Sequence, residues 1–420
     1  MAVRIDFVVT LLTRIASTAL AALGAVLVAR YFGDVGLGVF ALLRALPTVL
    51  MVLTECGFSH AYPYLINNRG YRTRDVAASG MLAALVVSSV QVLIWLVLMG
   101  PIESGFSLGL GQNAFLVASL LAPLAVFRAH FTNILRAEGK LRLANAVGIS
   151  GEFLVTALIG LAIWLGDSSH DELSYSLVIA QGTLVLGTMV YLGSRSTIGI
   201  PRFNRVLLKE SFAFGIRSQI GNAFQVLNYR LDHLIIGVLV GPAMLGIYVV
   251  ATKAAEFFRF LAVSVVFVAE PRIARCSPGE AVNLVRKYYA PIFFLNLVLV
   301  LVGAFVGPRL IPWVFTDWSS EAILPFWILL AGLAVAGSNG LIGAYNLGQG
   351  KPQLNTLAIG VALIVTVVAN ILLTPAYEIV GAAIASALAL LTSAVLFGAL
   401  FLRDYRRYSE GMGGGEGNGD

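Results

Sequence analysis

Charge is what this sequence has least of. Lys, Arg, Asp and Glu make up 12% of its 420 residues, with 58% hydrophobic and a mean hydropathy of +0.87. A soluble domain carries about a quarter charged residues, so the solvent for this chain is a bilayer. Cysteine is almost missing: only Cys56 and Cys276 occur. Both fall toward the cytoplasmic side of the expected topology, where disulfides do not persist, and this excludes a disulfide scaffold. Four histidines, among them His60, His130 and His233, are too scattered to make a metal site. A Gly-rich nucleotide loop, zinc-type Cys/His spacing and an aromatic-plus-basic ladder are all missing. No cofactor, metal or nucleic-acid partner is therefore expected. The segments between apolar runs are short, and neither a large extracytoplasmic loop nor an acidic metal motif is present. That argues against a membrane-embedded glycosyl enzyme or polymerase, so the chain reads as a non-enzyme.

What is present is a series of apolar runs. A membrane helix needs about 20 apolar residues in a row to cross roughly 30 Å of hydrocarbon. Such runs lie at 5–31, 36–63, 76–100, 111–136, 143–165, 173–194, 211–240, 244–269, 287–307, 321–345, 354–375 and 379–402. The expectation is an all-α membrane protein of about twelve spans. The first carries Arg14 at its middle and has no small-residue cleavage site, so it reads as a permanent helix rather than a signal peptide.

Loops after even-numbered spans collect cations: Arg69, Arg72 and Arg74; Arg136, Lys140 and Arg142; Arg195, Arg202, Arg205 and Lys209; Arg272, Arg275, Arg286 and Lys287; and Lys351. The opposite loops hold only Arg30 and Arg309 as cations, and gather Glu103, Asp167, Asp171, Glu172, Asp317, Glu321 and Glu378. By the positive-inside rule both termini are expected to be cytoplasmic, in a multi-pass protein of the cytoplasmic membrane. The net charge of +6 then reflects basic strips facing lipid headgroups, not a nucleic-acid partner. The last residues, 409–420, are Gly-rich and read as a flexible tail.

Two segments recur. The hinge "LRAEGKLRLAN" at 135–145 is echoed by "YNLGQGKPQLN" at 345–355, with Lys140 and Lys351 lying 211 residues apart. "GDVGLGVFALL" at 33–43 aligns with "GPAMLGIYVVA" at 241–251, at an offset of 208. The two offsets nearly agree, which points to two six-helix bundles, 1–200 and 201–408, in parallel repeat. Repeats of this kind place their substrate site at the interface of the halves.

Seven cations fall inside the expected spans (Arg14, Arg44, Arg128, Arg217, Arg230, Lys253 and Arg259), against four acids (Glu55, Glu152, Asp232 and Glu256). A central Arg or Lys costs roughly 2.5–3.5 kcal/mol, so each needs a partner, a wet cavity or a snorkelling route to the headgroups. Arg44, Thr48, Met51 and Glu55 share one helical stripe. Lys253, Glu256 and Arg259 share another, and Gln219, Asn222, Gln225, Tyr229 and Asp232 a third. Lys253 with Glu256 also reads as a structural ion pair, and Glu152 and Asn370 read as interhelical hydrogen-bond partners.

The stretches "ARYFGDVGLGVFALLRA", "YRLDHLIIGVLVGPAMLGIYVVATKAAE", "GAYNLGQGKPQLN" and "ANILLTPAYEIVGAAIASALA" resemble the polysaccharide-transporter, or Wzx-type O-antigen flippase, branch of the multidrug/oligosaccharidyl-lipid/polysaccharide (MOP) superfamily. The resemblance implies a MATE-like fold with a central cavity that opens alternately to either side. It implies a lipid-linked oligosaccharide on a polyprenyl pyrophosphate as cargo, with membrane lipids and polysaccharide assembly proteins as partners. By position it gives Arg14, Arg44, Arg217, Lys253 and Arg259 the role of substrate-binding cations. Glu55, Asp232 and Glu256 are candidates for coupling to H+ or Na+, or for ion pairing. The rival reading is a cation-coupled multidrug exporter of the same superfamily, which would favour an acidic cavity.

Overall fold

A computed structural model describes residues 2–166, 169–273 and 276–413, without the side chains of 2–8, 11, 259–272 and 407–413. All regular structure among the described residues is helical. This is what hydrocarbon demands, because a helix satisfies its own backbone groups where no water can. The chain forms two compact units. One holds Met1–Val226 with Gly241–Gly246, and the other Leu227–Val240 with Ile247–Asp420.

The first unit contains α1 (Ala2–Thr54), α2 (Tyr62–Asn67), α3 (Thr73–Val97), α4 (Met99–Phe106), α5 (Gln112–Ala118), α6 (Leu121–Ala137), α7 (Leu141–Trp164), α8 (Asp171–Ser194) and the first part of α9 (Arg205–Leu239). The second contains the remainder of α9, α10 (Pro242–Ile273) from Ile247 on, α11 (Pro278–Phe315), α12 (Ile323–Ala336), α13 (Asn339–Gly348) and α14 (Pro352–Gly413). Eight helices, counted over the described residues, are long and apolar enough to cross a membrane. Two of these carry a pair of expected spans each: α1 is kinked at Gly33 and α14 at Glu378. The expected seventh and eighth spans are α9 and α10.

The expected fourth and tenth spans, which correspond in the two halves, are both interrupted. The fourth breaks between α5 and α6 at Ser119–Leu120, and the tenth between α12 and α13 at Gly337–Ser338. Each unit has its own apolar centre. In the first, Tyr62, Leu65, Val76, Phe131, Ile134 and Leu192 pack together. In the second the corresponding cluster is Ile273, Val285, Ile292, Leu341, Tyr345 and Phe397. Small residues let helices approach closely, as membrane packing requires. A Cβ on Gly307 would meet the Phe326 ring at 2.3 Å, and one on Gly332 the Ala387 backbone at 2.9 Å.

The two Gly-Lys hinges fold identically. In the first, the Lys140 N–H donates to the Leu135 carbonyl at 2.9 Å and the Gly139 N–H to Arg136 at 3.0 Å. In the second, Lys351 donates to Asn346 at 2.8 Å and Gly350 to Leu347 at 3.1 Å. This is a Schellman cap with glycine at the left-handed position, where Gly139 has φ 74° and Gly350 φ 69°. The lysines then diverge. Lys140 pairs with Glu138 at 2.7 Å and stands over Tyr191, while Lys351 pairs with Asp404. The Glu138 hydrogen bond holds the Lys140 ammonium above the usual lysine range.

The second repeat pair meets itself. A Cβ on Gly38 would lie 1.8 Å from the Pro242 carbonyl oxygen, and one on Gly246 would lie 2.0 Å from that of Asp34. The offset of 208 carries Asp34 onto Pro242 and Gly38 onto Gly246, so the contact is reciprocal. Only a residue without a side chain fits at either place.

Gly139→Ala and Gly350→Ala should each cost about 1 kcal/mol, the strain of a left-handed residue with a Cβ. The losses should add, because the two hinges lie in separate units. Thermal denaturation of the purified single and double variants measures both.

Candidate functional site

In the first unit the charged residues gather around Glu152. Arg44 lies on α1 and Glu152 on α7, two helices packed along their length. The Arg44 guanidinium donates to Glu152 through both of its terminal nitrogens, at 2.6 and 3.1 Å. The pair is half-buried, with side-chain exposures of 31% and 23%. The Arg44 head also sits 5.6 Å from the Phe40 ring centroid. Arg128, on α6, is half-buried and within electrostatic range of both Arg44 and Glu152. Among the described residues the carboxylate bonds Arg44 alone, with Arg128 near enough to feel both charges, so the group of two guanidiniums and one carboxylate keeps a surplus positive charge. Planar guanidiniums suit phosphate oxygens, which they grip bidentately. Glu152 is an interhelical partner, as its isolation on α7 suggests, and what it orients is a site candidate.

Arg14 lies exposed on α1, one turn beyond an Asn145–Thr10 hydrogen bond of 2.8 Å that ties α7 to α1. Arg217 is exposed on α9, next to a buried contact between two glycines. A Cβ on Gly57 or on Gly215 would strike the other's carbonyl oxygen at 2.3 or 2.4 Å. Gln219 is buried and donates to the Val52 carbonyl at 2.7 Å, so this part of the expected polar stripe docks α9 on the first unit.

Glu55 stands at the end of the Arg44 stripe, its N–H donating to the Met51 carbonyl at 2.9 Å. The helix ends at Thr54 because Cys56 and Gly57 take positive φ, and the chain turns into a short 3-10 segment at Phe58–Ala61. Glu55 is 3% exposed, and its Oε1 accepts from the Ser59 N–H at 3.3 Å. The turn residues Cys56 and Gly57 were the visible signal for this break.

In the second unit, Lys253 and Glu256 form an ion pair of 2.8 Å along α10, one turn apart. Arg259, the third member of that expected stripe, lies outside the described side chains. Asp232 is buried, accepts from its neighbour's His233 N–H and takes the Tyr248 hydroxyl at 2.9 Å. Tyr248 in turn bonds Ser386 on α14 at 3.1 Å. Asn228, absent from the expected stripe, donates to the Ile359 carbonyl and accepts from Thr366 at 2.8 Å. Asn370 bonds within α14, to Thr366 and Thr374, instead of reaching another helix. Among the described residues, no group of three or more His, Cys, Asp or Glu side chains could hold a metal ion.

This arrangement of long apolar helices, two of them broken at corresponding places, is that of a multi-pass helical membrane protein. It resembles the solved lipid II flippase MurJ in an inward closed conformation, with TM-score 0.79 and 14% identity, over 93% of this chain and 86% of that one. It also resembles an inward-facing multidrug resistance MATE family transporter of the MOP superfamily, with TM-score 0.72 and 15% identity, over 94% and 95%. A third match is a MOP superfamily transporter from Pyrococcus furiosus, titled for the reverse polarity of its binding pocket, with TM-score 0.64 and 15% identity, over 96% and 94%. At such identities these likenesses establish the fold.

The particular family follows from sequence. The profile described as polysaccharide biosynthesis protein matches residues 4–277, and the chain belongs to that family. Amylovoran biosynthesis protein AmsL of Erwinia amylovora is 23% identical over 273 residues, which cover 62% of this chain and 67% of that protein.

Arg44→Ala and Glu152→Ala should each destabilise the first unit, and the double variant should lose less than their sum. The coupling is expected at about 0.5–3 kcal/mol, because either single change strands a half-buried charge. A double-mutant cycle read by thermal unfolding in detergent checks it, and simple additivity would show the pair to be incidental.

Proposed function

We propose that the protein is a flippase for a lipid-linked oligosaccharide, a glycan carried on a polyprenyl pyrophosphate. It moves this cargo across the cytoplasmic membrane by alternating access, for surface-polysaccharide export. The observation that carries the reading is the excess cation of the Arg44–Glu152–Arg128 group. One carboxylate cannot neutralise two guanidiniums in a half-buried setting, so the group favours an anionic headgroup, and a pyrophosphate supplies two or more negative charges. Family membership and the MurJ-like fold support the same cargo class. Arg14, Arg217, Lys253 and Arg259 serve as further headgroup or glycan contacts. Both termini face the cytoplasm, as the distribution of Lys and Arg favours. Transport is driven by H+ or Na+ through one of Glu55, Asp232 and Glu256, in company with polysaccharide assembly proteins, and the protein catalyses no covalent step.

The multidrug reading shares the fold, as the MATE matches attest. A cationic drug would be repelled by the Arg44–Arg128 group, and this favours the anionic cargo.

Arg44→Ala, Arg128→Ala and their double variant should cause cells to accumulate unexported lipid-linked glycan, with the double the most severe. Removing one charge-assisted contact costs about 1.5–3 kcal/mol, or roughly 10- to 100-fold in affinity. Thin-layer analysis of extracted glycolipids reads the outcome. Wild-type export from the double variant, with altered drug tolerance instead, would favour the multidrug reading.

A further inference from the structure

The first unit contains a second polar centre, set apart from the arginine group by its chemistry. Glu55, Ser59, Tyr62 and His130 line a small cavity of about 10 Å³, completed by Phe58 and by apolar residues of α3 and α6. That volume holds one water molecule. All four side chains are buried, with exposures of 3%, 2%, 2% and 1%. His130 Nδ1 shares a 2.8 Å hydrogen bond with the Tyr62 hydroxyl, which fixes the ring. Its other nitrogen, Nε2, is buried and has no hydrogen-bond partner. Gly80 makes this geometry possible, since a Cβ there would lie 2.2 Å from the Tyr62 hydroxyl and 2.7 Å from His130 Cε1.

Glu55 has no cation paired with it among the described residues. The titratable groups facing the cavity are Glu55 and His130 themselves and Tyr62 from α2. The wall from α3 is Gly80, Ala83, Ala84 and Val87. From α6, Asn133 donates to Ser59 Oγ at 3.0 Å and Arg136 donates to Asn133 at 3.3 Å. Arg128, on the same helix, acts on the Arg44–Glu152 pair. From α9, the neutral Gly215 and Gln219 pack behind the turn. An ionised carboxylate enclosed in this way, without a counter-charge, is costly. One added proton removes that cost, and a bridging water would let it sit on Glu55 or on His130 Nε2.

We propose that the Glu55–His130 cavity is a proton-binding site of the first unit and supplies the driving ion for transport. With Glu55 ionised and His130 neutral the centre carries one negative charge. Uptake of a single proton neutralises it, and release to the opposite side restores it. Ser59 links the centre to α6: its backbone N–H donates to Glu55, and its hydroxyl accepts from Asn133, which in turn accepts from the exposed Arg136. A sodium ion fits poorly here. Hard cations take a shell of oxygen ligands, and this wall offers a single carboxylate and two hydroxyls beside an imidazole nitrogen. The proton's role in transport rests on the flippase reading above, whereas the existence of the site does not.

The test uses the full chain in nanodiscs, with a pH-indicator dye counting protons taken up on a pH step and [15N]histidine NMR following His130. Wild type should take up one proton more per chain than Glu55→Gln, and the His130 resonance should titrate in wild type with a midpoint that moves in Glu55→Gln. Glu55→Asp should restore the uptake, and Tyr62→Phe, which frees the ring but keeps its packing, should broaden the His130 transition. Thermal melting confirms that each variant is folded. Equal proton uptake by folded wild type and Glu55→Gln overturns the site, as does uptake that follows sodium instead of pH. Lost uptake with normal glycan export in cells overturns its driving role. Normal proton uptake by a protein that restores no glycan export in a null strain would leave the site intact and count against the flippase reading instead.

Discussion

Hydrocarbon makes an unpaired charge costly, and that constraint organises every polar group in this protein. Arg44 meets it with a bidentate carboxylate from a neighbouring helix, and Lys253 with a glutamate one turn along its own. Glu55 meets it with a backbone N–H in a small pocket of buried side chains. What each solution leaves over is what makes it useful. Two guanidiniums near one carboxylate leave a surplus of positive charge, and a buried carboxylate lies beside an imidazole nitrogen with no hydrogen-bond partner. On the reading proposed above, cargo and driving ion fall to different residues of one unit.

The same constraint explains why the backbone devices of the two halves agree while their side chains do not. Both Gly-Lys hinges close with the same pair of hydrogen bonds, because a helix end near hydrocarbon must satisfy its last carbonyls. Gly38 and Gly246 meet each other's partner carbonyls reciprocally, a contact that tolerates no side chain on either repeat. The lysines, freed of any backbone duty, have found different acids: Glu138 beside one, and Asp404 on the terminal helix beside the other. The two repeats thus share the backbone devices and differ in the partners of their lysines.

Hydrophobic run length and turn glycines are local properties, so the amino-acid sequence by itself determined the helical membrane class and the two recurring glycine devices, and it singled out seven cations and four acids within the expected spans. It also anticipated the Lys253–Glu256 pair, whose members are three residues apart on one helix, and Glu152 as a partner across helices. Tertiary structure alone decided which cations are neutralised and which are left in surplus. It joined Arg44 to a residue 108 positions away and set Arg128 beside them both. It ended α1 at Thr54 and put Glu55 and His130 in the wall of one cavity, and it confined the Asn370 amide to its own helix. Helical phase gives the direction in which a side chain leaves its own helix. What it meets there depends on how the neighbouring helices are packed, and no periodicity along a single segment encodes that.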